Sequence, residues 1–149
     1  MIPTDRFVVD ASVAINWVLP EAGSVQARRL LARAAAGDAQ LSAPDVFVGE
    51  VANVVWKRCR LRGELLEEVA REALSALLAA LPEIVPTTVL VAQALELALS
   101  FRRPVYECLY VALALRDGCP LVTHDLALVR SIGPATGHLV HLDSLPLGA

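Results

Sequence analysis

The chain has 149 residues, of which 56% are apolar, and a formal net charge of −3. The length suits one domain with a full hydrophobic core, and the charge lacks the strongly basic balance typical of nucleic-acid-binding proteins. No apolar run reaches the roughly 18–20 residues that a membrane-spanning helix needs, which excludes a helical integral membrane protein.

The opening segment, MIPTDRFVVD, does not have the charged stretch and longer apolar run of a signal peptide. Cys59, Cys108 and Cys119 form neither a paired framework nor a C-x-x-C and are predicted to be buried, reduced thiols. We therefore expect a cytoplasmic protein, and its surplus of apolar residues favours self-association or a permanent partner.

The first half of the chain alternates predicted strands with predicted helices. Ser12 and Ser24 are natural N-caps, and glycines follow the longer helices. In order, the elements are a strand over Phe7–Asp10, a helix from Ser12 to Val18, a helix from Ser24 closed by Gly37, a strand over Gln40–Pro44 and a long helix from Pro44 to about Arg62.

The second half continues the alternation. Its elements are helix Glu64–Leu81, strand Glu83–Pro86, helices Thr88–Arg102 and Val105–Asp117, strand Cys119–Asp125, helix Leu126–Ile132 and strand Leu139–Leu142. No repeat or linker divides the chain, so this order predicts one α/β domain, a sandwich around a mostly parallel sheet.

Four of the sixteen acidic residues stand where buried structure is predicted. Asp10 and Asp125 end the strand-like segments FVVD and PLVTHD, whereas Glu50 and Glu107 interrupt helices that are otherwise apolar. The carboxyl ends of parallel strands form the edge at which open α/β sheets place their ligands. The arginines fall in other segments, so no cation is expected among these acids.

Convergence of these acids would require a compensating charge. Two like charges about 4 Å apart cost about 4 kcal/mol at an effective dielectric constant near 20, and several such pairs would outweigh much of a domain's stability. Either the carboxyls stay protonated or a divalent cation lies among them. Oxygen ligands without histidine or thiolate select Mg²⁺ or Mn²⁺, and such a cation beside a phosphodiester supports hydrolysis.

Two hydroxyls and a histidine accompany the acids. Ser12 and Thr123 each lie two residues from one, in DAS and THD, close enough to orient a carboxylate or a water molecule. Ser12 is equally well explained as a helix N-cap. His124 is expected to be a solvent-facing neighbour of Asp125, with the role of auxiliary ligand or proton donor as the alternative.

Four segments of the chain together resemble the PIN-domain family, and specifically the VapC-type toxins of prokaryotic toxin–antitoxin pairs. They are VVDASVAINWVLPE at 8–21, SAPDVFVGEVANVVWK at 42–57, RPVYECLYVALAL at 103–115 and CPLVTHD at 119–125. Each is weak alone, but their order and separations are specific, and they span nearly the whole length.

This resemblance implies a three-layer α/β/α sandwich with a short, mostly parallel sheet, in a single domain over residues 1–149. It implies a metal-dependent endoribonuclease with an RNA substrate, and Ser12 and Thr123 match the family's hydroxyl positions. It also implies a homodimer and a cognate VapB-type antitoxin protein, whose tail packs on apolar helices near the site. The positions that match the acidic cluster, and so the expected catalytic residues and metal ligands, are Asp10, Glu50, Glu107 and Asp125.

One position departs from the family pattern. The third acid is usually aspartate, and here YEC supplies Glu107, which is one methylene longer. We expect Mg²⁺ or Mn²⁺ binding to survive with altered geometry. The alternative is a catalytically weak PIN-like binding module.

A second alternative is an α/β phosphate-transfer domain. A phosphatase of the HAD type would need an aspartate two residues after Asp10, where the chain has Ser12. A receiver-type switch would need a lysine near the site, and the one lysine, Lys57, follows no strand.

Three further features have structural explanations. The basic segment KRCRLR at 57–62 complements the dipole at a helix C-terminus, with contact to RNA phosphates as the alternative. Trp17 and Trp56 are expected in the core or an interface, with base stacking as the alternative. The histidines of HLVH, at 138 and 141, would point to opposite faces of a strand and are expected to be ordinary strand residues.

Overall fold

A computed structural model describes residues 5–19 and 24–145 of the chain and contains one five-stranded sheet. Every neighbouring pair of strands is parallel, in the order β3-β2-β1-β4-β5. The strands are β1 (Asp5–Val9), β2 (Ala39–Pro44), β3 (Glu83–Val85), β4 (Leu121–Thr123) and β5 (Leu139–His141).

Seven α-helices connect the strands within the described residues. They are α1 (Ala11–Val18), α2 (Ser24–Ala35), α3 (Val46–Trp56), α4 (Glu67–Ala79), α5 (Val91–Phe101), α6 (Val105–Asp117) and α7 (Leu126–Thr136). A π-helical segment, Lys57–Leu61, continues α3, and 3₁₀ turns cover Thr87–Val89 and Leu142–Ser144.

Helix α6 packs on the middle of the sheet, where it contacts β1, β2 and β4. Seven consecutive residues of this helix, 108–114, are buried. A helix buried on all sides needs no polar face, which explains the nearly continuous apolar run in its sequence. The predicted α/β sandwich with a parallel central sheet is confirmed.

The strand order contains one switch point. From β1 the chain adds β2 and then β3 on one side, and it later returns to add β4 and β5 on the other. Strands β1 and β4 are therefore neighbours whose connections lead in opposite directions, the arrangement that opens a ligand crevice in parallel α/β sheets. Asp10 directly follows β1, and Asp125 lies two residues beyond β4.

Several helix boundaries differ from the predictions. Helix α4 begins at Glu67 rather than Glu64, and the predicted long helix changes from α to π geometry at Lys57. Helix α7 extends past Ile132 to Thr136, with Pro134 inside it. Gly137, at φ +68°, ends α7 instead, because its left-handed conformation suits a helix C-terminus.

The cysteines are free thiols, as expected. Cys108 and Cys119 are buried as predicted, whereas the predicted burial is wrong for Cys59, which is half-buried. Among the described residues, no helix combines the length and apolar character needed to cross a bilayer.

Candidate active site

One cleft of about 460 Å³ receives all four acids singled out in the sequence. Three of them lie at the N-termini of α1, α6 and α7, and the fourth lies in the first half of α3. The fold therefore brings residues more than 100 positions apart in the chain into one cleft. The lining includes the acids Asp10, Glu50, Glu107 and Asp125 together with Ser12, Asn16, Tyr110 and His124.

Asp10 is the N-cap of α1, a role that the sequence analysis gave to Ser12. Its Oδ1 accepts hydrogen bonds from the backbone N–H groups of Ser12, at 3.0 Å, and Val13, at 3.3 Å. Ser12 itself lies in the first turn of the helix. The prediction of Ser12 as N-cap is therefore wrong, because the cap lies two residues earlier, where the Asp10 carboxylate already accepts from the free N–H groups of the first turn.

Two hydroxyls join the ends of β1 and β4 through Asp10. Ser12 Oγ donates to Asp10 Oδ1 and accepts from the backbone N–H of His124 at 2.9 Å. Thr123 Oγ1 donates to Asp10 Oδ2 at 2.5 Å and accepts from the backbone N–H of Asp125 at 3.0 Å. The hydroxyls thus hold the Asp10 carboxylate and fix the position of the strand end that carries Asp125.

Asp125 repeats the arrangement of Asp10 on the neighbouring strand. It is the N-cap of α7, and its Oδ1 accepts from the backbone N–H of Leu128 at 3.1 Å. Both strand-end acids therefore spend one oxygen on a helix N-terminus, where the dipole favours negative charge.

Glu50 is held by a residue that the sequence analysis did not identify. The buried hydroxyl of Tyr110 donates to Glu50 Oε1 at 3.1 Å. Tyr110 lies on α6, one turn after Glu107, and no signal in its spacing marks it as part of the site. Burial, followed by the negative charges of Glu50 and Asp10, raises the pKa of Tyr110, which keeps its proton available for this bond.

Burial raises the pKa of the Asp10 carboxyl, although the hydrogen bonds from Ser12 and Thr123 act in the opposite direction. Burial also raises the pKa of Glu50, and the charges of Asp10 and Glu107 add to this effect. The surroundings of these two carboxyls therefore disfavour their charged form.

A cation lies among the other two acids, contrary to the prediction. Arg103 Nε donates to Glu107 Oε2 at 2.8 Å, and its Nη2 lies 3.7 Å from Asp125 Oδ2. The spacing of four residues between Arg103 and Glu107 could have indicated this pair, because such residues are neighbours across a helical turn. The contact to Asp125 depends on the fold and has no local signal.

The acidic set fits a hard divalent cation by its chemistry. All its donors are carboxylate oxygens, and burial disfavours charge on two of them, which a bound dication would reverse. Their oxygens are not gathered as closely as in a filled site, since the described residues whose ligand atoms come within 4.8 Å of one another are His124, His141 and Asp143. Arg103 pairs with two of the four acids, Glu107 and Asp125.

Asn16 adds an unexpected polar group to the cleft. Its side chain is 1% exposed, and its Nδ2 donates to the backbone oxygen of Ser12 at 2.8 Å. Within the described residues its Oδ1 accepts no hydrogen bond. A buried amide oxygen without a donor is unfavourable, so this atom is suited to accept a hydrogen bond from a bound molecule.

The two tryptophans differ in burial, and the basic segment at 57–62 forms ion pairs. Trp17 is buried in the core as expected, whereas half of the Trp56 surface is exposed. Within the basic segment, Arg58 pairs with Glu64 at 2.8 Å and Arg60 pairs with Glu67.

The prediction that both histidines of HLVH are ordinary strand residues is wrong. His138 precedes β5, and its Nδ1 lies 2.6 Å from the oxygen of Thr136. His141 is largely buried and contacts the ring of His124. The pairing of β4 with β5 causes this contact. The alternation of side chains along one strand does not indicate which residue of a neighbouring strand lies beside it.

Residues 7–131 match the sequence profile of the PIN domain. The chain belongs to the PIN-domain family. This match covers the strand ends and both helices that carry the four acids, so the cleft lies wholly within the PIN domain.

Individual proteins agree with the assignment. The PIN domain is 36% identical to Ribonuclease VapC3 of Pyrobaculum aerophilum over 128 residues, which is 84% of this chain and 93% of that protein. The crystal structure of PAE2754 from Pyrobaculum aerophilum superposes with a TM-score of 0.71 at 19% identity and covers 93% of this chain and 85% of the other. A toxin–antitoxin complex from Klebsiella pneumoniae gives a TM-score of 0.58 at 16% identity, covering 93% and 98%.

Proposed function

We propose that this PIN domain is a Mg²⁺- or Mn²⁺-dependent endoribonuclease that acts as the toxin of a toxin–antitoxin pair. The observation that carries the proposal is the meeting of Asp10, Glu50, Glu107 and Asp125 in one cleft at the switch point of the sheet. The name of the relative Ribonuclease VapC3 supports RNA as the substrate.

The four acids are the proposed metal ligands. Asp10 and Glu50 have no cationic partner among the described contacts, whereas Glu107 and Asp125 share Arg103. A hard dication held by these carboxylates would supply Lewis acidity at a phosphodiester and would lower the pKa of a water molecule bound to it.

The other polar residues of the cleft orient the acids and the substrate. Ser12 and Thr123 fix both oxygens of Asp10, and Tyr110 fixes one oxygen of Glu50. The Arg103 guanidinium has donors that suit phosphate oxygens as well as carboxylates. We propose that it turns toward the RNA backbone when the acids are neutralised.

Asp10→Asn tests the mechanism. The variant keeps the size of the side chain but removes the charge, and we expect it to abolish Mg²⁺- or Mn²⁺-dependent cleavage of RNA while circular dichroism shows an intact fold. Full activity in the variant, or equal wild-type activity in the presence of a chelator, would refute the proposal.

The weakly catalytic binding module remains the alternative, because Glu107 replaces the usual aspartate. A module of that kind binds Mn²⁺ and RNA but does not cleave RNA. Titration of Mn²⁺ combined with a cleavage assay on the same preparation separates the two functions.

The proposed partner is a VapB-type antitoxin, supported by the structural similarity to a toxin–antitoxin complex. A groove between α3 with its π-helical continuation and α4 offers apolar contacts from Val55, Trp56 and Leu74. If a short gene next to this one encodes a DNA-binding protein, its product should copurify with the chain and inhibit cleavage. Trp56→Ser should weaken that complex, while Val25→Ser, at another exposed apolar position, should not.

A homodimer is also proposed. Val91, Leu95 and Leu99 recur every four residues and form an exposed apolar stripe along α5. Light scattering should give the mass of a dimer, and Leu95→Glu should shift it to that of a monomer. A monomeric wild-type protein would contradict the proposal.

A cytoplasmic location, expected from the sequence, stays a prediction.

A further inference from the structure

Three side chains with metal-binding atoms lie together outside the acidic set. His124 follows β4, His141 ends β5, and Asp143 lies in the 3₁₀ turn after it. Their ligand atoms all lie within 4.8 Å of one another. Thr123 and His141 are paired in the parallel ladder, and the sheet therefore holds the two imidazoles side by side with ring centroids 5.2 Å apart.

Two hydrogen bonds determine where the proton of His141 lies. Its Nε2 is 3.2 Å from the backbone oxygen of His124, and a carbonyl oxygen only accepts. Its Nδ1 is 3.2 Å from the backbone N–H of Asp143, which only donates. Both contacts require the tautomer with the proton on Nε2, so the lone pair is on Nδ1.

This tautomer directs the lone pair of His141 toward Asp143. Nδ1 lies 3.8 Å from Asp143 Oδ2, and Nε2 of His124 lies 3.9 Å from Asp143 Oδ1. Metal-binding histidines usually donate their second N–H to a carboxylate, a backbone carbonyl or water. His141 already donates to the carbonyl of His124, which is itself a member of the cluster.

We propose that His124 Nε2, His141 Nδ1 and the Asp143 carboxylate form a binding site for a transition-metal dication such as Zn²⁺. Two imidazoles and one carboxylate favour zinc and its neighbours over Mg²⁺, which prefers oxygen ligands alone. This site is therefore chemically distinct from the acidic set, and it does not depend on the proposed ribonuclease activity.

The geometry requires only small adjustments. Zinc–ligand bonds of about 2.0–2.2 Å in a tetrahedron place ligand atoms roughly 3.4 Å apart, so atoms that now lie within 4.8 Å of one another must approach by at most about 1.4 Å. The Asp143 side chain is 60% exposed and can rotate, and ions can reach it from solvent. The weak bond from the Asp143 N–H to Nδ1 is exchanged for the metal bond.

Three protein ligands leave a fourth position for water or a substrate atom. His124 also lines the cleft that contains Asp10 and Asp125. A bound ion would therefore add positive charge to one wall of the acidic cleft, next to the N-cap of α7.

Titration of the full chain with Zn²⁺ in excess Mg²⁺ tests this site. Imidazole ¹⁵N resonances report binding residue by residue, and the chain has three histidines. We expect Zn²⁺ to shift the resonances of His124 Nε2 and His141 Nδ1 and to leave those of His138 unchanged. Asp143→Asn and His124→Gln should each weaken the binding at least tenfold, and both change exposed or half-buried positions.

Two variants serve as controls. His138→Gln removes a histidine outside the cluster, and Glu107→Gln removes an acid of the neighbouring set, and both should bind Zn²⁺ as the wild type does. The proposal is overturned if Zn²⁺ causes no shift at His124 and His141, if Asp143→Asn binds normally, or if either control weakens binding equally.

Discussion

Arg103 Nε donates to Glu107 Oε2 at 2.8 Å, so the guanidinium lies directly on one of the four acids expected to bind a metal ion. The same side chain reaches to 3.7 Å from Asp125. In the absence of a dication, Arg103 therefore offsets the repulsion between two carboxylates that the fold brings together.

Removal of this guanidinium should strengthen metal binding. In Arg103→Gln the cation that competes for Glu107 and Asp125 is absent, and we expect the Kd for Mn²⁺, measured by calorimetry, to fall roughly tenfold, equivalent to about 1.4 kcal/mol. The kcat/KM for RNA cleavage should fall nevertheless, because a phosphate contact is lost. Arg102→Gln, at the neighbouring exposed position, is the control, and equal effects in both variants would show that Arg103 has no special role.

The length of the third acid should matter less than its charge. We expect Glu107→Asp to retain kcat/KM for RNA cleavage within about tenfold, whereas Glu107→Gln loses roughly a hundredfold, a loss typical of a missing electrostatic group. Glu96→Gln, on the outer side of α5, should leave the rate unchanged. Equal activity of the two Glu107 variants would make the third charge dispensable.

The Thr123 hydroxyl should be needed for stability as well as activity. Thr123→Val preserves the shape but leaves Asp10 Oδ2 and the Asp125 N–H without a partner, and a buried unpaired group costs about 1–3 kcal/mol. We expect a loss of this size in the free energy of unfolding, measured with urea. Thr123→Ser keeps the hydroxyl and should retain most of both stability and cleavage. If the Thr123→Val variant is as stable as the Thr123→Ser variant, the Thr123 hydroxyl does not stabilise the fold.

Stability without metal should fall as the pH rises. The pKa values of Asp10 and Glu50 are raised in the folded chain, so the folded state retains protons that the unfolded chain releases above about pH 4. The free energy of unfolding must then decrease as the pH rises from the carboxyl pKa values of the unfolded chain toward the raised pKa values of the folded chain.

Asp10→Asn isolates one part of this effect. The variant should be less stable than the wild type at pH 4.5, since both oxygens of the Asp10 carboxyl accept hydrogen bonds and an amide nitrogen cannot accept one. The difference in the free energy of unfolding between the two proteins should become smaller as the pH rises to 8. Urea unfolding in the presence of a chelator measures it. Parallel curves for the two proteins would contradict the raised pKa of Asp10. Mn²⁺ should stabilise the wild type at pH 8 more than the variant.

The sequence alone determined the fold class and the membership of the acidic set. The patterns that did so are local: buried strands such as FVV and PLVT alternate with helices, and an acid follows a buried strand at Asp10 and at Asp125. The switch between β1 and β4 then brings those strand ends to one edge. The placement of the four acids in one cleft agrees with the prediction, and their catalytic role stays a proposal.

Only the tertiary structure decided which groups surround the acids. The contact of Arg103 with Asp125, the bond from Tyr110 to Glu50 and the meeting of His124 with His141 join residues on separate elements. Each contact depends on how helices and strands pack, and sequence spacing describes neighbours only within one element. Burial, which raises the pKa of Asp10 and Glu50, is likewise a property of the whole fold.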